Sequence, residues 1–435
     1  MIHIAPTPPT VQPKLVRRLG FWEVTLSGIG IILGAGIYAL IGVAAGSAGN
    51  AVWLSFVISA LVAFFTALSY MELSSMMPDV GAEYEYTARA AGRRVAMVIG
   101  WLIIFSGILG AATVALGFAG YMGALLPVPA FGAALLLIAV LCGVLLLGVK
   151  ESAWVAVAFT LIEVSGLLLI IAAGLPHLGK VDYLEMPIGM TGVVTAAALV
   201  FFAYQGFEEM VKFSEETRRP ERTIPFALIT ALAVSTILYI LVCLSAVSVV
   251  GWEALAASSA PFATVASAAW GADASLLLSV IALFATANTV LMMMFASSRI
   301  SFGMARAGSL PGFVSRVHPR RHTPWTAILL VGGGALLFLF TGNIAFVANI
   351  ANFTLFVTFV VVNLSVIILR YREPDRARPF SIPFSLGKFP LFPLLGLLSC
   401  LFLLVQLEPA VLGVGALLTG TGMVIAIFYG NMAEG

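Results

Sequence analysis

Charge is scarce in this chain. Only 10% of its 435 residues are Asp, Glu, Lys or Arg, against about 25% in ordinary soluble domains. That deficit excludes a soluble globular protein. Cysteine is scarcer still. Cys142, Cys243 and Cys400 each stand alone inside an apolar stretch, without the C-x-x-C pairing of a metal site or a disulfide framework, and they read as small packing residues. The four histidines, His3, His177, His318 and His322, fall in expected tails and loops. Neither an H-E-x-x-H set nor a clustered nucleophile and base occurs, so no catalytic residue, metal or cofactor is expected and an enzyme is disfavoured. A sensor would add a soluble signalling domain, and no segment is long enough for one. A channel is disfavoured because no ring of pore charges is visible. Residues 1–14 are rich in Pro and Thr and lack the apolar core of a cleavable signal. The net charge is +2, spread over many short loops, which argues against nucleic acid as a partner.

What the chain has in abundance is apolar side chains, 61% of the total, gathered in runs of about 20 residues as bilayer crossing requires. The lipid bilayer is therefore its surroundings, and the fold class is an all-α membrane protein. Twelve transmembrane helices are expected, centred near Leu33, Val62, Leu109, Val140, Ile162, Val200, Ile237, Ala285, Gly333, Phe356, Leu398 and Ala416. With a cytoplasmic N-terminus, 21 of the 22 basic residues fall on the inside and only Lys180 falls outside. So lopsided a split follows the positive-inside rule and supports both count and orientation. Residues 1–18 form a cytoplasmic N-terminal tail and 431–435 a C-terminal tail on the same side. The membrane is expected to be the cytoplasmic (inner) one. The oligomeric state is not encoded in any of these features.

Two of the apolar runs are interrupted. The first contains Ile32-Leu33-Gly34-Ala35-Gly36-Ile37-Tyr38, and the sixth contains Phe201-Phe202-Ala203-Tyr204-Gln205-Gly206-Phe207, followed at once by Glu208 and Glu209. If ten helices form two inverted repeats of five, residues 19–176 and 188–372, the first and sixth segments are partners. Residues 373–430 then supply a loop and two further helices. Paired, glycine-interrupted helices point to a binding site at the bilayer midplane, whereas close helix packing through small residues is the alternative. A broken helix offers N–H groups and positive dipole at the start of its second half, which suit a carboxylate. It offers free carbonyls at the end of its first half, which suit an ammonium. An α-amino acid carries both groups.

The interrupted runs belong to a longer series of motifs. Leu68-Ser69-Tyr70-Met71-Glu72-Leu73 precedes Met77-Pro78-Asp79-Val80-Gly81-Ala82-Glu83-Tyr84-Glu85-Tyr86. Glu215-Glu216 and Arg219-Pro220-Glu221-Arg222-Thr223-Ile224-Pro225 follow the second break. Gly303-Met304-Ala305-Arg306-Ala307-Gly308-Ser309-Leu310-Pro311 and Leu369-Arg370-Tyr371-Arg372-Glu373-Pro374 come later. In this order they resemble the amino acid–polyamine–organocation (APC) transporter superfamily with the leucine-transporter-like fold. The resemblance implies five-plus-five inverted repeats with broken first and sixth helices, two extra helices, and secondary active transport by alternating access. It implies that a substrate carboxylate meets the backbone N–H groups of Ala35 and Gly36 beside Gly34. The ammonium would meet carbonyls near Ile32, Phe202 and Gln205, within the stretch that also holds Ala203, Tyr204 and Gly206. Phe202 stands where the family has an aromatic gate, with an ordinary core aromatic as the alternative. No pocket charge stands out in the first, third, eighth or tenth segments, which favours a neutral L-amino acid over a cationic one. Exchange of amino acids or amines is the alternative to uptake.

Glu163 is the ionisable residue deep inside the fifth segment. It lies ten residues after Ala153, about 15 Å along a helix axis, near the midplane, where a charge costs about 2.5–3.5 kcal/mol on insertion scales. A carboxyl that gains and loses a proton as water access alternates would couple transport to a proton gradient. A fixed hydrogen bond and ligation of a cation such as sodium, with Asn288 or Thr289, are the alternatives. Some proton-coupled relatives have a lysine at or near this place, so Glu163 departs from their pattern. Glu208 is a second coupling candidate. Glu72 and Glu23 are expected to make hinge or loop contacts, and Arg299 and Arg306 to anchor at the interface or pair with Glu215 or Glu216.

Overall fold

Each long apolar run forms a helix, as a bilayer demands, because only an intra-segment ladder satisfies every peptide group in hydrocarbon. The computed structural model describes residues 19–77, 82–147 and 153–432, without the side chains of residues 82, 153–158, 215–216 and 430–432. The expected tail 1–18, motif residues 78–81, Lys150 and the side chains of Glu215 and Glu216 thus lie outside the described residues. The helices are α1 (Phe21–Ile32), α2 (Gly36–Ala48), α3 (Val52–Met76), α4 (Ala82–Ala91), α5 (Arg93–Leu125), α6 (Ala130–Leu147), α7 (Ala153–Gly174), α8 (Gly189–Val200), α9 (Pro220–Ala257), α10 (Pro261–Trp270), α11 (Ala272–Arg306), α12 (Trp325–Leu339), α13 (Ile344–Arg372), α14 (Leu391–Leu404) and α15 (Pro409–Met432). Helix α15 runs two residues into the expected C-terminal tail.

Among the described residues, nine helical stretches are long and apolar enough to cross a membrane. One of them, Gly36–Met76, contains two helices, α2 and α3, joined by a 3₁₀ turn at Gly49–Ala51. Three shorter apolar helices, α1, α12 and α14, complete the set. Helix α4 differs in kind. It carries Glu83, Glu85 and Arg89 in ten residues, too polar for lipid. Among the described residues, strands form one two-stranded hairpin, β1 (Ser385–Leu386) with β2 (Phe389–Pro390), in the loop after α13.

Helix α5 is the central post, packed along both α11 and α13. Helix α3 lies against α9 on one side and α8 on another, where Ser55 and Ser59 donate to the carbonyls of Val193 (2.8 Å) and Ala197 (2.7 Å). Small hydroxyls of this kind serve as glue between helices that water cannot drive together.

One end of the bundle is tied by a buried ion cluster. Glu72 of α3 is fully buried and takes a two-pronged contact from Arg370 of α13, Nε to Oε1 at 2.9 Å and Nη2 to Oε2 at 2.5 Å. The Ile382 N–H also donates to it at 2.9 Å, and Arg378 Nε lies 3.3 Å from Oε1. Glu72 is thus a loop contact, as expected, but one carried by a charge pair inside the protein. Removing one partner of a buried pair costs about 3–5 kcal/mol, because the other charge is stranded, whereas an exposed pair is worth about 0–1 kcal/mol. Glu72→Gln is therefore expected to lower the thermal unfolding midpoint of the purified protein markedly. Arg89→Gln, which breaks the half-exposed Arg89–Glu373 pair, is expected to leave it nearly unchanged.

Candidate functional site

The first break falls between α1 and α2. Leu33 still donates to Ile29, but the helix does not continue through Gly34 and Ala35, and winding restarts at Gly36. The second break begins where α8 passes into a 3₁₀ turn at Phe201–Tyr204. Gln205 is then extended (ψ 133°), and Gly206 turns left-handed at φ 118°, a conformation that favours glycine. The chain resumes as a ten-residue 3₁₀ helix, Phe207–Glu216, where an α-helical half was the simple expectation. Runs of 3₁₀ longer than about four residues are uncommon.

The two breaks face each other. A Cβ on Gly36 would stand 2.7 Å from the Cα of Ala203, so only glycine lets the two main chains come this close. Side chains from neighbouring helices meet the backbone groups set free. The Ala35 N–H donates to Thr289 Oγ1 of α11 (3.1 Å), whose own proton goes to the Ala285 carbonyl (3.0 Å). The Tyr239 hydroxyl of α9 lies 2.6 Å from the Ile32 carbonyl and 2.8 Å from the Ala203 carbonyl. The Asn352 amide of α13 donates to the carbonyls of Ala198 (2.7 Å) and Leu199 (3.0 Å) where α8 runs out. The Gln205 N–H returns to Phe202 (3.2 Å), and its side-chain amide donates to Ser106 of α5 (2.9 Å), leaving Oε1 buried without a partner among the described residues.

The sequence-expected residues therefore fall into three groups. Ile32, Gly34, Ala35, Gly36, Phe202, Ala203, Gln205 and Thr289 gather at the paired breaks. Phe202 is buried, its ring edge near Gly110 of α5. Tyr204 turns away from them, with its hydroxyl on the Phe56 carbonyl at 3.0 Å. Glu163 and Asn288 form the second group. The Asn288 amide donates to Glu163 Oε1 at 3.2 Å, the carboxyl is 2% exposed, and Tyr38 of α2 donates to the Glu163 main-chain carbonyl at 2.6 Å. Glu208 forms the third. Its carboxylate accepts the Gly206 N–H at 2.8 Å and so caps the restart of the sixth segment. Nearby, Glu83 of α4 accepts from Tyr70 at 3.0 Å, and burial pushes its carboxyl up from the usual carboxylate range.

Tyr239 and Asn352 escaped the sequence reading. A neutral polar side chain in an apolar helix has no motif, although Ser235, Tyr239 and Cys243 recur four apart, which places them on one inward face. Arg299 and Arg306 lie over the rings of Phe295 (4.9 Å) and Phe302 (5.7 Å) on their own helix.

The family model described as amino acid permease matches residues 19–429. A branched-chain amino acid permease of Bacillus subtilis is 32% identical over 418 residues, covering 91% of this chain and 89% of that permease. A methylthioribose transporter of the same organism is 32% identical over 415 residues, with the same coverage of 91% and 89%. The vacuolar cationic amino acid transporter 4 of Arabidopsis thaliana is 30% identical over 392 residues, covering 83% of this chain and 64% of that transporter.

Tyr239→Phe removes one hydroxyl and leaves two buried carbonyls without it. Leaving a buried polar group unsatisfied costs about 1–3 kcal/mol, so the thermal midpoint is expected to fall by a corresponding amount. Tyr371→Phe, at a residue 55% exposed, is expected to leave the midpoint in place.

Proposed function

Since this chain belongs to the amino acid permease family, an integral multi-pass membrane transporter and not an enzyme, we propose that it imports neutral L-amino acids together with protons by alternating access. On this reading the chain crosses the cytoplasmic membrane twelve times with both termini inside, and residues 19–176 and 188–372 are inverted repeats. The substrate sits between the breaks. Its carboxylate lies on the N–H groups of Ala35 and Gly36, and its ammonium on carbonyls of Ile32 and the 202–205 stretch. The observation that carries the reading is the face-to-face meeting of the two breaks, where Gly36 closely approaches Ala203 and the carbonyls of Ile32 and Ala203 converge on one hydroxyl.

A neutral substrate is supported by the absence of acidic residues from α5 and α13 and, in α11, by the placement of Asp273 in the first turn, away from the Thr289 level. The branched-chain relative agrees with this; the cationic transporter is the contrary case. Proton coupling is supported by Glu163, a buried carboxyl whose side-chain partner is a neutral amide. That same amide bond favours the second reading, in which Asn288 fixes Glu163 as a structural acceptor and the protein exchanges amino acids. Counterflow of labelled substrate without a pH gradient distinguishes exchange from symport.

In sealed vesicles, Glu163→Gln is expected to abolish uptake driven by an inward proton gradient while retaining exchange of labelled leucine. Wild-type gradient-driven uptake in this variant would remove Glu163 from the coupling mechanism.

A further inference from the structure

The stretch between residues 291 and 325 contains five arginines, Arg299, Arg306, Arg316, Arg320 and Arg321, and no Asp or Glu. All five are exposed. Among the described residues none of them pairs with a carboxylate, whereas Arg89, Arg370, Arg376 and Arg378 all meet Glu72 or Glu373. A topological signal needs only positive charge near the helix ends. It does not need the charge to be left unneutralised, nor to be mounted on a folded turn.

The turn at 318–323 is folded. The His318 N–H donates to the Thr323 carbonyl (2.8 Å) and the His322 N–H to the His318 carbonyl (2.9 Å), with His322 left-handed at φ 56°. The His318 ring Nδ1 accepts from the Arg320 N–H (3.3 Å) and the Arg321 N–H (3.2 Å). Thr323 Oγ1 and Arg321 Nη1 donate to the carbonyls of Leu146 (3.2 Å) and Leu147 (3.4 Å) at the end of α6, and Thr326 of α12 donates to Val314 (3.0 Å). The turn is therefore seated against the ends of α6 and α12. Among the described residues the guanidinium groups of Arg316 and Arg320 have no protein partner. Phe313 and Val317 stand beside them, 48% and 44% exposed.

We propose that this turn, through Arg316, Arg320 and Arg321, binds the phosphate groups of anionic phospholipid in the adjoining leaflet, with Phe313 and Val317 entering the acyl boundary. Guanidinium groups grip phosphate oxygens in two-pronged fashion, and basic pockets between membrane helices hold anionic headgroups. The level fits as well, since the turn immediately precedes apolar α12 and is bonded to the end of apolar α6, and so lies where headgroups begin. Lipid is favoured over a soluble phosphate because apolar side chains are exposed next to the arginines.

The test uses the full-length protein purified in neutral detergent, titrated with phosphatidylglycerol, phosphatidylcholine or inorganic phosphate while thermal unfolding is followed. Phosphatidylglycerol is expected to raise the midpoint; the other two are not. Arg316→Gln/Arg320→Gln/Arg321→Gln is expected to weaken the apparent affinity for phosphatidylglycerol by about a hundredfold. The single variant Arg320→Gln, which keeps the Arg321 anchor to α6, is expected to weaken it several-fold. Arg218→Gln/Arg219→Gln/Arg222→Gln, an equal loss of exposed charge elsewhere, is expected to retain the full response. An unchanged response in the first two variants, an equal loss in the third, or equal stabilisation by phosphatidylcholine or inorganic phosphate would each overturn the assignment. The measurement involves no transport, so its outcome is independent of the symport reading.

Discussion

Hydrocarbon offers no hydrogen bonds, and that single constraint shapes the centre of this protein. A peptide group left unpaired there costs several kcal/mol, so a helix can be broken only where neighbours take over its ladder. Stacking the two breaks against each other makes this economical. One hydroxyl, Tyr239, reaches a carbonyl of each break, and one hydroxyl of α11 accepts the Ala35 N–H. The close approach of Gly36 to Ala203 follows from the same need, since any side chain there would separate the two main chains. The arrangement also leaves a remainder. A phenol has one proton, yet two carbonyls stand within hydrogen-bond reach of it, and among the described residues Gln205 Oε1 has no donor. The paired breaks hold more acceptor capacity than the protein's own donors fill. An ammonium, with three donors, is the complement of such a deficit.

Buried acids occur here in two physical situations, and the difference sorts structure from chemistry. Glu72 is surrounded by two guanidinium groups and a backbone N–H, all fixed by further bonds to Ser385 and the loop. Such a carboxylate is a clasp, and removing its charge would strand its arginines. Glu163 meets one neutral amide and Glu208 meets a backbone N–H two residues away. Among the described residues Glu163 faces no fixed cation and can change its charge without leaving an uncompensated partner, whereas Glu208 has Lys212, itself paired with Glu209, close by. A carrier of protons must have that freedom, and a clasp must lack it.

How much of this was legible in the chain depends on whether a residue conflicts with its surroundings. Gly34 and Gly36 in an apolar run, and Glu163 ten residues into another, conflict openly, and the places they mark lie at the breaks and inside α7. Tyr239 and Asn352 do not conflict, because a single neutral polar side chain is tolerated in a membrane helix, and their roles follow from tertiary contacts alone. The Glu72–Arg370 pair bridges 298 positions, a separation over which spacing carries no information. The 3₁₀ course of Phe207–Glu216 was likewise hidden. It follows from the Gly206 turn and the Glu208 cap, whose joint geometry no periodicity reveals. Helix number is the least direct reading, since α1, α12 and α14 are shorter than a full crossing and count only through the company they keep.

A lysine in the place of Glu163 would be a cation when protonated and a neutral amine when not. A glutamic acid reverses the order: neutral with the proton, anionic without it. The donor that faces it in this protein suits the reversal, because the Asn288 amide can give a hydrogen bond to a carboxylate but cannot offset a full charge. Asn288 and Thr289 are consecutive on α11, and consecutive helical residues point about 100° apart. One therefore reaches α7 and Glu163 while the other reaches the first break and Ala35. On the proposed reading, coupling needs no long pathway. A change in what Glu163 asks of Asn288 acts on the same turn of helix that positions the hydroxyl holding the Ala35 amide, the group assigned to the substrate carboxylate.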